Sequence, residues 1–176
     1  MSCYKHVDIS NISSNIFSIG MKKAPVNSLS MEFMEELTHC IKYLEETESC
    51  KAIVFTSQMK TFSAGFDINE FLTPNFERLE RFWGAAQMLA LTILKTPLVT
   101  ASAINGSCIA GGCVFAFLSD ISVMNNNETL RIGLSATKMG IPPPELLLLP
   151  MINLVGHRNT ELLASQSMLI LSLIHI

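Results

Sequence analysis

Apolar residues along the chain fall into short runs that alternate with longer stretches of helical period, the pattern of strands exchanged with helices. Val7-Asp8-Ile9 and Asn15 to Ile19 alternate apolar with polar positions and predict a β-hairpin, joined through the polar segment Asn11 to Ser14. A loop from Gly20 to Asn27 follows and carries Lys22, Lys23 and Pro25. Beyond it, Phe33, Leu37, Ile41 and Leu44 recur at helical spacing, which predicts a helix capped by Ser28 or Ser30 and ending near Glu46 to Ser49. Glu32, Glu35 and Glu36 fall in its early turns, where the helix dipole favours them.

Ala52 to Thr56 predicts a buried strand, and Asn75 caps a long helix through Phe76, Leu79, Trp83, Ala86, Ala90 and Ile93 that Pro97 brings to an end. The β-branched run from Leu98 to Ile104 suits a strand buried on both faces and stops at the turn dipeptide Asn105-Gly106. After a short apolar loop, Gly111-Gly112 opens a second apolar segment, Cys113 to Leu118, expected to be a buried helix. Ile121 to Met124 and Leu130 to Leu134 are further short runs separated by Asn125-Asn126-Asn127. Pro142-Pro143-Pro144 ends what precedes it, Glu145 starts an apolar run to Leu149, and Gly156 to Ser165 predicts an amphipathic helix. A repeated order of strand, strand and helix points to an α/β layer arrangement with largely parallel pairing.

Candidate chemistry lies where glycine meets a strand end. Gly111 and Gly112 leave the backbone without Cβ atoms, so a ligand atom can approach main-chain N–H groups, and a helix start adds partial positive charge. Such a junction suits developing negative charge; the other reading is a tight corner in which glycine serves packing alone. Thr61 to Ile68, TFSAGFDI, repeats the arrangement after the strand at Ala52, so two N–H groups from separate units could converge on one oxygen.

Composition narrows the setting. The 176 residues are 49% hydrophobic and 15% charged with a net charge of −3, enough apolar material for one sizeable core and no basic excess for nucleic acid. Cys3, Cys40, Cys50, Cys108 and Cys113 show no CxxC or His-paired spacing and read as reduced, buried thiols of an intracellular protein. The N-terminus has neither a secretory signal nor an Arg-rich transit pattern. The apolar stretch from Leu162 to Ile176 is shorter than the roughly 20 residues that span a bilayer, so no membrane span is expected.

The stretches FSAGFDI and AINGSCIAGGC resemble the crotonase (enoyl-CoA hydratase/isomerase) superfamily, and PVNSLSMEFMEEL, RIGLSATKMGI and VGHRNTE extend the likeness to the enoyl-CoA delta isomerases of fatty-acid oxidation. The resemblance implies a spiral of ββα units and an enoyl-CoA thioester as partner, with its oxygen held by the amides of Phe66 and Gly111. It further implies a substrate site formed by Ala24, Ala64, Gly65, Phe66, Asp67, Ile68, Gly111 and Ser135, a homotrimer, and a mitochondrial location. The implied reaction moves a proton from C2 to C4 of the acyl chain with no metal or redox cofactor, CoA being part of the substrate. A crotonase-like domain is expected over 1–165, followed at 166–176 by an apolar tail; the further helices that cover the site and help assemble trimers in the family are expected to be truncated.

One departure bears on the chemistry. In the isomerases a glutamate serves as base in the segment similar to Ile132 to Thr137, and Ala136 takes its place here; the hydratases' further glutamate corresponds to Val114. Neither side chain carries a proton. Glu145 could turn inward or be an exposed helix-start carboxylate, and Asp120 reads as a capping or core residue rather than a base. Asp67 and Glu70 read as acids favoured at a helix start, His157 as surface or packing, and Cys113 as a structural thiol. Lys22 and Lys23 could meet the phosphates of CoA or form a solvated charge pair. Three readings therefore stand: an isomerase that is weak or uses a relocated carboxylate, a thioester-binding pseudoenzyme, or a fragment that associates with full-length relatives.

Overall fold

A computed structural model describes residues 4–72 and 75–170. Strands β1 (Val7–Ser13) and β2 (Ile16–Met21) form the expected hairpin, though β1 runs on through the polar segment expected to join the two strands. Helix α1 (Met31–Glu45) follows, with the Ser30 side chain accepting from the Phe33 N–H at its start. Next come β3 (Ala52–Ser57), β4 (Thr61–Ser63), the short α2 (Asn69–Leu72) and the long α3 (Phe76–Lys95), which Asn75 caps by accepting from the Arg78 N–H. β5 (Val99–Ile104), β6 (Ser107–Ile109) and α4 (Gly111–Phe117) form the next turn of the spiral. It continues through β7 (Ile121–Met124), β8 (Ile132–Gly133), a 3-10 turn at Ala136–Met139, α5 (Glu145–Val155) and α6 (His157–Ser165).

The hairpin β1-β2 lies in one sheet, and from β3 onward each successive pair of strands sends one strand to each of two sheets. The larger has the order β1-β2-β3-β5-β7, parallel from β2 onward; the smaller has β4-β6-β8, all parallel. Parallel neighbours end on the same side, so the loops after β4, β6 and β8 are brought together at one edge of the small sheet. The core lies between the inner sheet face and the helices, where Ile19, Ile53 and Ile104 meet Phe33, Ile41, Phe82 and Leu89.

Two expectations are corrected. The short apolar loop before Gly111 contains strand β6, and β5 is buried on one face only: Thr100, Ser102 and Ile104 point inward while Val99 is 54% exposed. Among the described residues no α-helix covers the outer face that Val99 shares with Ile121 and Val123, so an apolar run here does not imply two covered faces. Cys40, Cys50, Cys108 and Cys113 are free and buried; Cys3 lies outside the described residues. Of the expected apolar tail, Met168 and Leu169 are exposed, whereas Ile170 pairs with Ile132; 171–176 lie outside the described residues.

Candidate active site

The two glycine loops touch. Gly65 has φ +88, and a Cβ there would lie 2.7 Å from the Ala110 Cβ and 2.9 Å from the Gly111 nitrogen. A Cβ on Gly112 would fall 2.5 Å from that of Ser63. Close approach, rather than a turn alone, therefore requires glycine at both positions. Leu29 fixes the first loop by donating to Gly65 C=O at 2.8 Å and accepting from Asp67 N–H at 3.0 Å. Alternation along that extended segment turns the Phe66 N–H to the side away from Leu29. Gly111 is the first residue of α4, so its N–H is one of the donors that a helix start leaves unsatisfied. The preceding Ala110 holds φ 51 and ψ −125, a strained backbone for a residue with a Cβ, and its N–H donates to Gly133 C=O at 2.8 Å.

Beside these loops opens a cleft of about 620 Å³, a size typical of small-molecule sites. Lys23 to Val26 and Ser28 form one wall, Ala64 and Phe66 to Asn69 a second, and Ser135, Ala136, Met139 and Ile141 a third. Of the residues singled out by sequence, Ala24, Ala64, Phe66, Asp67, Ile68, Ser135 and Ala136 all line this cleft. Gly65 and Gly111 sit behind it, against Ala110, which does line it.

Lys23 and Asp67 tie the first two walls together through an ion pair of 2.9 Å that is largely buried, the two side chains being 14% and 17% exposed. Burial opposes ionisation of Asp67, but the hydrogen bond from Lys23, another from Asn69 N–H and the lysine charge outweigh it and hold the carboxyl below its ordinary value. Lys23 is thus neither a free phosphate ligand nor a solvated charge, while Lys22 turns to Asp8 on the hairpin.

Carboxylates are scarce at the cleft. Ala136 is half-buried on its wall, and Val114 is buried inside α4. Glu145 is exposed at the first turn of α5 and does not reach the cleft. Asp120 accepts from both the N–H and the hydroxyl of Thr100, bonds that lower its pKa and make it a structural link. Glu70 is buried and accepts from Met31 N–H and twice from Arg78, a firmer role than an acid at a helix start. His157 is exposed at the start of α6, and burial pushes the Cys113 thiol far up. Among the described residues, Asp67 is the one carboxylate on the cleft wall, and it is already paired with Lys23.

Two contributors escaped sequence reasoning. Asn27, fully buried with φ 49, accepts from Lys23 N–H and donates to Ser57 and Phe62, pinning the first wall to β3 and β4. The tolerance of asparagine for left-handed backbone was a usable signal within the loop. Phe66 and Phe71, both on the cleft, belong to an edge-to-face cluster with Phe82 and Trp83, whose ring centroids are 5.2 to 6.1 Å apart. Helical spacing offered Trp83 as a core residue but gave no hint that its neighbours face a site.

Residues 11–170 match the family model for enoyl-CoA hydratase/isomerase. The chain belongs to this family. Over 141 residues it is 39% identical to the human protein named enoyl-CoA delta isomerase 1, mitochondrial, covering 80% of this chain and 47% of that relative. Its rat counterpart is 38% identical and 49% covered, so this family member spans about half the length of the curated relatives it matches. The crystal structure of human mitochondrial delta3-delta2-enoyl-CoA isomerase superposes with a TM-score of 0.90 at 34% identity, over 94% of this chain and 65% of that one. An enoyl-CoA hydratase from Bacillus anthracis shares the fold at a TM-score of 0.87 and 20% identity, over 94% of this chain and 64% of that one.

Proposed function

We propose that the chain binds a fatty enoyl-CoA in the cleft, with the thioester oxygen between the Phe66 and Gly111 amides, and polarises the thioester without the isomerases' base. The observation that carries this reading is the contact of two strand-end glycine loops beside a cleft of ligand size. Donors fixed in advance at a carbonyl oxygen stabilise charge as it develops there, and loss of one typically slows such chemistry about 10²- to 10³-fold. The isomerase relatives support the substrate class and their names the mitochondrion as the setting, and a further relative, named fatty acid oxidation complex subunit alpha, supports fatty-acid oxidation.

Proton transfer from C2 to C4 needs a second component, a base on the cleft wall. Ala136 stands where the resemblance places that glutamate, and Asp67 is held by Lys23. The reading is therefore a CoA-thioester-binding protein of the isomerase branch with little isomerase activity. Calorimetry with a saturated acyl-CoA tests it: the parent binds, and Gly111→Pro, which removes one N–H and adds bulk against the Phe66 ring, does not. Equal affinity of the two folded proteins would overturn the proposed mode.

A further inference from the structure

We propose that the segment from Ser167 to Ile170 is a clasp that positions the cleft wall carrying Ala136. The inference rests on the reading that the cleft holds an acyl-CoA.

Ser167 is 1% exposed and has φ 51, a strained backbone for serine. The hydrogens around its hydroxyl can be assigned in full. Thr137 donates its hydroxyl proton to Ala164 C=O at 2.7 Å, which leaves the Thr137 oxygen to accept from the Ser167 hydroxyl. The Ser167 oxygen then accepts from Lys138 N–H at 3.0 Å. Thr137 and Lys138 directly follow Ala136 in the 3-10 turn, so one buried serine grips two successive residues of that wall.

Downstream, the contacts extend to β8 and the loop before Gly111. Ile170 exchanges both backbone hydrogen bonds with Ile132 at 2.9 Å, adding an antiparallel bridge beside β8. The Met168 carbonyl presses so closely on Gly133 that a Cβ there would lie 2.4 Å from it. The Gly133 carbonyl in turn accepts from Ala110 N–H, next to the Gly111 amide. The start of the expected apolar tail thus makes contacts that lead to both the Ala136 turn and the Gly111 loop. Ser167 bonds through its hydroxyl to Thr137 and Lys138, neither of which lines the cleft, and acts through them as a positioning residue.

The test compares octanoyl-CoA with free CoA by calorimetry for the parent, Ser167→Ala, Thr137→Val and the double variant. Each single change removes two of these hydrogen bonds and is expected to weaken octanoyl-CoA by about 3- to 10-fold and to leave CoA within about twofold. The double variant is expected to lose less than the product of the two, because the changes share a bond. Parent-like affinity for octanoyl-CoA in folded Ser167→Ala and Thr137→Val, or equal weakening of both ligands, would overturn the clasp. A parent that binds neither ligand would overturn the proposed function instead. Amide exchange then decides the clasp: faster exchange confined to 136–139 in Ser167→Ala supports it, and unchanged protection refutes it.

Discussion

A side chain on Gly65 would place its Cβ 2.9 Å from the amide nitrogen of Gly111, although the two glycines belong to different turns of the spiral. The φ of +88 at Gly65 adds strain to that clash for any L side chain. Gly65→Ala is therefore expected to destabilise the fold by about 2 to 4 kcal/mol and to weaken acyl-CoA binding beyond what lost stability explains. Thermal unfolding and calorimetry on the remaining folded protein check this; parent-like values in both would show that the loops have slack.

The ion pair between Lys23 and Asp67 makes the cleft walls sensitive to acid. Because the folded Asp67 pKa is depressed, the pair contributes stability that is present above the unfolded carboxyl value near 4 and disappears as pH falls through the lower folded value. Asp67→Asn is expected to cost about 1 kcal/mol at neutral pH, with the gap to the parent closing below about pH 4. Denaturant unfolding across that range gives the answer, and a gap independent of pH would assign the loss to packing instead.

Arg78 joins Glu70, which is buried, to Glu32, which is exposed. Removing the guanidinium strands the buried Glu70 carboxylate between α1 and α3, so Arg78→Leu is expected to destabilise the fold. Arg78→Leu with Glu70→Leu should recover part of that loss. Chemical denaturation of the two variants checks the order; a double variant less stable than Arg78→Leu would contradict it.

How much of this was legible beforehand depended on the length of each element. α1 and α3 announced themselves through apolar spacing and through Ser30 and Asn75 at their starts. β4, β6 and β8 have two or three residues each, too few for a period of two to show, so β6 read as loop. The glycine loops were visible because local backbone demands call for small residues. The roles of Asn27 and Ser167 were not, since the bonds from Asn27 to Ser57 and Phe62 and from Lys138 to Ser167 join residues about 30 apart in sequence.

The account turns on Ala136, which lines the cleft where the resemblance calls for a base. Conversion of a 3-enoyl-CoA to its conjugated isomer, followed by ultraviolet absorbance, addresses this directly when the parent and Ala136→Glu are assayed beside acyl-CoA binding. The expected result is binding by both, with little turnover by the parent and a gain of about 10²- to 10⁴-fold in the variant, the usual contribution of a general base. Turnover by the parent equal to that of Ala136→Glu would contradict the account and make another group, with Asp67 on the cleft wall the first to test, the base.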